Sequence, residues 1–278
     1  MQISLIISTY NWPEALNLVL TSVFHQHRMP DEVLVADDGS SEPTAKLVAE
    51  WSQRLPVPVH HLWQEDQGYR LARSRNRAVA AACGDYLVIV DGDMVLHPSF
   101  VGDHARAAEV GHFVQGVRVP TSADGAARML RDGSTGFGPF GSGVRRRHLA
   151  VRNRWLARQF SRDYITMRRI KGCNQAYWRS DLLAVNGFEE RMVGWGPEDK
   201  ECVTRLLNAG VQGRELRFTA LALHLHHDSR APVGVNPNDS LLEATVASRR
   251  TRSEVGIEHH LAEFAGGIPG HARPPWQV

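Results

Sequence analysis

Asp85-Tyr86-Leu87-Val88-Ile89-Val90-Asp91-Gly92-Asp93 is the stretch from which the rest of the chain can be read. Residues 86–90 form an unbroken apolar run rich in β-branched side chains, the composition of a strand buried on both faces. The run stops at two carboxylates flanking a glycine. In an open α/β sheet, ligands gather at the carboxyl ends of the strands. A pair of acids there costs desolvation energy unless a cation meets it, and Gly92 would let a bulky ligand approach the backbone. One reading is a divalent-metal site holding a phosphate-bearing substrate. The other is a solvated turn, since Asp and Gly are common turn formers.

Working towards the N-terminus, the same strand-then-polar-tip pattern repeats. Residues 3–7 read as a buried strand ending in Ser8-Thr9-Tyr10-Asn11, and Pro13 suits the first turn of a helix over 15–25. A second strand over 32–36 ends in Asp37-Asp38-Gly39-Ser40-Ser41, followed by a helix over 43–54, a strand over 57–63 and a helix over 71–82. This alternation predicts an α/β fold with a Rossmann-like, mostly parallel sheet and helices on both faces. Right-handed crossovers bring the tips to one edge, so Ser8, Asp38 and Asp93 should share a crevice.

Towards the C-terminus the character changes. Residues 113–119 read as a strand, and 132–143 as a glycine-rich loop. Residues 143–162 then carry seven arginines, Arg145, Arg146, Arg147, Arg152, Arg154, Arg158 and Arg162, with no acid among them and with Trp155, Leu156 and Phe160 interleaved. A solvated charged helix is one reading. A surface for an anionic membrane or an anionic ligand is the other. A short strand is expected over 176–178. Gly196 and Pro197 open a helix that places Glu198 and Asp199 in its first turn, where the helix dipole keeps a carboxylate ionised, and Gly210 ends it. Residues 218–223 read as a strand with His224-Leu225-His226-His227 at its end. The tail reads as a helix over 241–264 and a frayed proline-rich end at 271–278. Three segments follow: 1–120, which holds the Asp-Gly-Asp strand, 121–170 as a basic Gly/Arg-rich connecting segment, and 171–278, which ends in the C-terminal helix.

Composition sets outer limits. The 278 residues are 42% apolar and 22% charged, enough for a packed core. A formal charge of +2 supplies no global field for nucleic acid, so no nucleic-acid partner is expected. Cys83, Cys173 and Cys202 lack metal-ligand spacing and suit a reducing compartment. The chain begins directly in a strand, and no run approaches the ~18 apolar residues of a membrane span. The expectation is a cytoplasmic protein without a signal peptide, peripheral at most to the inner face of the cytoplasmic membrane.

Taken together, Ile7-Ser8-Thr9-Tyr10-Asn11, Val35-Ala36-Asp37-Asp38-Gly39-Ser40, Arg73-Ser74-Arg75-Asn76, Asp91-Gly92-Asp93, Gly172-Cys173-Asn174, Gly194-Trp195-Gly196-Pro197-Glu198-Asp199 and His224-Leu225-His226-His227 resemble glycosyltransferase family 2, a GT-A fold. The likeness is to its bacterial branch with a galactosyltransferase-like C-terminal segment. The resemblance implies that Ser8 and Tyr10 line a nucleotide pocket, that Asp38 accepts from the uracil N–H, and that Arg73 and Asn76 hold the nucleotide or its phosphates. It implies that Asp91 and Asp93 face ribose and metal, with Asp93 the direct ligand. Asp199 would be the catalytic base, with Glu198 and Trp195 shaping the acceptor site. Animal galactosyltransferases with a Trp-Gly-Gly-Glu-Asp element carry a Met-x-x-His metal pair on the following strand. This chain has His224 in place of that Met, and Pro197 in place of the second Gly.

The chemistry is consistent with that likeness. Breaking a sugar–diphosphate bond builds negative charge on the leaving oxygen, which a divalent cation or basic side chains neutralise. The acceptor hydroxyl needs a carboxylate within reach to take its proton. One metal site and one separate base suffice for direct displacement with inversion. Asp93 with His224 and His227 is a mixed oxygen–nitrogen set that suits Mn²⁺ better than Mg²⁺. His226 should point the opposite way from its neighbours if the strand continues, although it could replace either histidine. The expected function is transfer of a sugar from a UDP-sugar to a hydroxyl of a glycan or lipid-linked glycan acceptor, in bacterial surface polysaccharide or lipopolysaccharide synthesis. The alternative is a catalytically silent sugar-nucleotide or glycan-binding module on the same fold.

Overall fold

The computed structural model describes residues 1–268 apart from 137, 142, 164, 165 and 229–235; the proline-rich end at 271–278 lies outside the described residues. The first half alternates β1 (Ile3–Thr9), α1 (Pro13–Phe24), β2 (Glu32–Asp37), α2 (Glu42–Arg54), β3 (Val59–Trp63), α3 (Leu71–Ala81) and β4 (Tyr86–Asp91). Then come β5 (Met94–Leu96), α4 (Phe100–Ala107), β6 (His112–Gln115), β7 (Val117–Pro120), α5 (Ala123–Asp132) and α6 (Arg154–Phe160). The remainder is β8 (Asn174–Trp178), α7 (Arg179–Ala184), α8 (Glu198–Asn208), β9 (Gln212–Glu215), β10 (Leu221–His224), α9 (Asp239–Ser248) and α10 (Glu258–Leu261).

A seven-stranded sheet has the order β3-β2-β1-β4-β8-β6-β9. β1 to β4 run parallel, as the crossover rule requires, and β8 runs antiparallel to both β4 and β6. The reversal matters for function. It puts the start of β8, not its end, on the same edge as the tips of β1, β2 and β4, with Asn174 opposite Val90.

Side-chain alternation along the strands builds two apolar layers. Ile3, Leu5 and Ile7 of β1 pack with Leu16, Val19 and Val23 of α1 and Trp51 of α2. Ile6 of β1 and Leu34 of β2 face the other way, against Ala78 and Val79 of α3 and Leu182 and Leu206 of α7 and α8. Each such aliphatic side chain is buried at a gain of about 1.5–3 kcal/mol, and the helices therefore cover both faces.

A second, three-stranded sheet has the order β5-β10-β7. The expected single strand over 113–119 is in fact two, one in each sheet. Gly116 makes the switch: a Cβ there would lie 2.3 Å from the Asn174 side chain, so the chain can cross beside β8 only without one. The strand expected from 218 begins at Leu221, because Phe218 (φ 62°) and Ala220 (φ 50°) are left-handed. Ala220 N–H donates to Asp103 and Asn153 N–H donates to the Phe218 carbonyl, which hold that kink. The tail is not one helix. α9 ends at Ser248 with Arg249 left-handed (φ 53°), and Gly256 then passes so close to the Asn186 carbonyl that no side chain fits. Pro197 is the cap of α8 rather than its first residue. Strands from beyond residue 171 complete both sheets begun before residue 120. No described helix is long and apolar enough to cross a membrane.

Candidate active site

The tips of β1, β2 and β4 open onto a cavity of about 410 Å³ that also meets the end of β10. Ser8, Tyr10, Asp38, Asp91, Asp93, Trp195, His224 and His227 all line it, so the predicted convergence of Ser8, Asp38 and Asp93 is present. Asp38, at the tip of β2, is buried and accepts from Arg70 N–H (2.7 Å) and Gln64 Nε2 (2.6 Å). Burial pushes its carboxyl up to about 6, against the opposing pull of those two hydrogen bonds. Tyr10 donates to Asp66 Oδ2 at 2.9 Å. Gly92 has a role different from the expected one. A Cβ there would meet the Ser8 carbonyl oxygen at 2.9 Å, so the glycine serves the close passage of β1 rather than of a ligand.

Asp93 lies in the turn between β4 of the large sheet and β5 of the small one. Its Oδ2 is 3.3 Å from His224 Nε2 and 3.2 Å from His227 Nε2, and ligand atoms of the three residues lie within 4.8 Å of one another. Burial alone would raise the Asp93 carboxyl, but the hydrogen bonds and charge of the two histidines hold it well below the usual range. Two features fit a metal ion. Asp93 Oδ1 is buried with no hydrogen-bond partner among the described residues. His227 Nδ1 lies 2.7 Å from the Asp228 carbonyl, which can only accept, so whenever the ring is neutral its proton sits on Nδ1 and an Nε2 lone pair faces the Asp93 carboxylate. Two lone pairs facing each other need a proton or a metal ion between them. His226 is exposed and points to a different cavity.

Behind Asp91 sits Arg75, only 1% exposed. Its guanidinium donates to Asp91 Oδ1 (2.8 Å), Glu198 Oε1 (3.1 Å) and Ser8 Oγ (3.2 Å). Burial raises the Asp91 carboxyl, and Arg75 opposes that rise. Burial also pushes Glu198 up to about 7, helped by Asp199 and opposed by Arg75. Asp199 accepts from Gly172 N–H (2.6 Å) and Lys200 N–H (2.7 Å), each oxygen keeping a further lone pair. Glu198 and Asp199 stand beside the 410 Å³ cavity rather than among its lining residues. Trp195 is 46% exposed at its mouth. Its loop is pinned by Asn238, whose Nδ2 donates to the carbonyls of Val193 (3.0 Å) and Trp195 (3.2 Å).

Two expected nucleotide contacts are placed differently. Asn76 is fully buried and spends its amide on Phe188 and Glu190, so no ligand reaches it. Arg73 donates to Gln64 Oε1 (2.8 Å) and so braces the residue that holds Asp38. Arg75, which lies between them on α3, is the arginine that reaches the site. Its signal was present in sequence only as one arginine among several on α3. Tyr69 and Arg118 also line the cavity without having been singled out. The arginines over 145–162 are not all unopposed, since Arg152 makes a two-pronged pair with Asp103 of α4 (2.7 and 2.8 Å).

The geometry can be set beside known proteins. A family model described as glycosyl transferase family 2 matches residues 4–182, and one described as the N-terminal domain of galactosyltransferase matches 155–228. Chondroitin synthase of Escherichia coli is 27% identical over 242 residues, 80% of this chain and 34% of that protein. Validoxylamine A glucosyltransferase of Streptomyces hygroscopicus subsp. limoneus is 26% identical over 75% of this chain and 48% of its own length. The chain thus spans less than half of either relative. Among solved structures, S. aureus TarS 1–349 in complex with UDP-GlcNAc superposes with a TM-score of 0.62 at 19% identity, covering 95% of this chain and 72% of that one. A mannosyltransferase from Pyrobaculum calidifontis in complex with GDP-Man and Mn²⁺ has a TM-score of 0.56 at 19% identity, covering 99% and 66%. These glycosyltransferase structures share the GT-A fold. By sequence and by fold, this chain belongs to glycosyl transferase family 2.

Proposed function

We propose that this chain transfers a sugar from a UDP-sugar to a hydroxyl of a glycan or lipid-linked glycan acceptor, with inversion at the anomeric carbon and with help from a divalent cation, Mn²⁺ in preference to Mg²⁺. The observation that carries the reading is the Asp93–His224–His227 cluster, with its unpartnered carboxylate oxygen, in one cavity with Ser8, Tyr10 and Asp38. A cation held there would supply positive charge beside the departing diphosphate oxygen. Asp38 accepts from the base, Ser8 and Tyr10 line the nucleoside pocket, and Trp195 offers an aromatic face to a sugar. Asp199 takes the acceptor proton, with Glu198 beside it as the next candidate. Among the described residues, Asp91 and Glu198 are both paired with Arg75, which leaves Asp199 as the base and favours direct displacement.

The UDP-GlcNAc complex of TarS supports a UDP-sugar donor, and the Mn²⁺ complex of the mannosyltransferase supports the metal. Chondroitin synthase supports a polysaccharide context, which would place the protein in the cytoplasm at the inner face of the membrane. The test is release of UDP from a panel of UDP-galactose, UDP-N-acetylgalactosamine, UDP-glucose and UDP-glucuronate, with Mn²⁺ or with excess chelator. Metal-dependent turnover of one donor is expected. Equal turnover in chelator would refute the metal, and UDP binding without any turnover would leave a silent binding module.

A further inference from the structure

Beyond Arg118 lies a second cavity, of about 1070 Å³, and Arg118 lines both. Its walls carry Arg118, Arg145, Arg146, Arg168, Lys171 and Arg217. Among the described residues lining it, Glu215 is the one acid, and it is already held by Arg169 at 2.5 and 2.6 Å. Among the described residues no carboxylate pairs with Arg145, Arg146, Arg168 or Lys171. With a formal charge of only +2 for the whole chain, this is a local concentration of positive charge. Concave walls of one sign focus the field on whatever enters.

Its position links it to the chemistry. Arg118 Nη2 lies 3.0 Å from both ring nitrogens of His224, while its buried Nε has no hydrogen-bond partner among the described residues. Lys171 precedes Gly172, whose N–H holds Asp199. The cavity therefore adjoins both the candidate metal cluster, through Arg118, and the candidate base, through Lys171 and Gly172. Leu149, Leu216 and Phe218 give it an apolar wall. Phe218 is held left-handed, a backbone conformation that non-glycine residues adopt at a cost and that recurs at ligand sites.

We propose that this cavity binds the acceptor and that the acceptor is an anionic glycan, its carboxylate or phosphate groups paired with these cations and its reacting hydroxyl delivered past Arg118 to Asp199. The inference rests on the transfer reading above. A bilayer is the poorer occupant. Arg145 and Arg146 line a concavity, Arg152 is spent on Asp103, and the exposed Trp155 lies outside the lining.

The experiment measures binding of four probes to the full chain by fluorescence anisotropy or co-sedimentation. They are an oligogalacturonate decamer, its fully methyl-esterified neutral form, a phosphorylated maltooligosaccharide, and phosphatidylglycerol vesicles. The first and third separate carboxylate from phosphate recognition. At least one anionic oligosaccharide should bind at least about tenfold more tightly than the neutral one, with affinity falling as salt rises. The variant Arg145→Ser/Arg146→Ser/Arg168→Ser changes exposed residues only, and should lose roughly tenfold to a hundredfold in that affinity while its melting temperature and its UDP binding in Mn²⁺ stay unchanged. Equal binding of charged and neutral probes, or an unaffected variant, overturns the proposal. So does binding to the vesicles with none to either anionic oligosaccharide. Failure of the wild-type chain to bind UDP in Mn²⁺ would instead strike the donor reading, separately from the oligosaccharide result.

Discussion

Replacing Arg75 by Met keeps most of the side-chain stem and removes the guanidinium that touches Asp91, Glu198 and Ser8. Two carboxylates then share a buried site without the cation that pairs with both. Removing one partner of a buried ion pair costs about 3–5 kcal/mol. The low end applies here, because the Asp91 side chain is 34% exposed and can rehydrate, and because Glu198, already pushed up to about 7, can relieve the strain by holding its proton. Unfolding entropy of about 2.1 cal/mol/K per residue over a chain of 278 residues is about 0.6 kcal/mol/K, so a loss of about 3 kcal/mol lowers the melting temperature by about 5 °C. The loss should be largest at pH 8 and smaller at pH 5, where Glu198 is protonated in the folded state whether or not Arg75 is present. Arg75→Lys should recover only part, since an ammonium on a flexible stem lacks the planar fork that meets three acceptors. The assay is calorimetry at the two pH values. A melting temperature at pH 8 within a degree of wild type would refute the account of Arg75 as the cation that makes this site foldable.

Asp199→Asn keeps the size and removes the basicity. Turnover should fall by roughly 10²–10⁴-fold with UDP binding unchanged, and near-normal transfer would move the base to Glu198. His227→Ala should raise the Mn²⁺ concentration needed for half-maximal activity, whereas His226→Ala should leave it alone; the same metal titration, run on both variants, would contradict the ligand assignment if His226→Ala behaved like His227→Ala. Folded Glu198 holds its proton to about 7, against an ordinary value of 4.5. Between those pH values the folded state binds more protons than the unfolded one, so wild-type stability falls as pH rises through the window. Glu198→Gln should flatten that fall and be more stable than wild type at pH 8, and denaturant melts showing the same pH slope in both proteins would count against it.

Much of this was legible in sequence, and for identifiable reasons. β1, β2 and β4 are buried on both faces, so each is a continuous apolar run ending at a polar tip, and their shared edge follows from crossover handedness alone. Asp93, His224 and His227 meet because each lies at a strand end. The misses depend on contacts between residues far apart in the chain. The break at Gly116 is imposed by Asn174 and the kink at Phe218 by Asn153 and Asp103, none of which local periodicity can see. On α3, Arg73, Arg75 and Asn76 share one short motif, and only the three-dimensional facing of the helix decides which side chain points into the site and which into the core.

The small sheet, whose strand β10 carries His224, has a consequence for the order of folding. β1, β2 and β3 pair with near neighbours in the chain, which close short loops. Among the described residues β5 pairs only with β10, where Leu96 meets Ala222, far along the chain. Closing a longer loop costs more entropy before any contact rewards it. During synthesis the side of the cavity formed by Ser8, Tyr10 and Asp38 can therefore take shape while the chain that brings His224 and His227 is still to come. On the proposed reading, the chain would reach a stage at which it has a place for the nucleoside but cannot yet grip the metal. A fragment ending before β10 would be the way to isolate that stage.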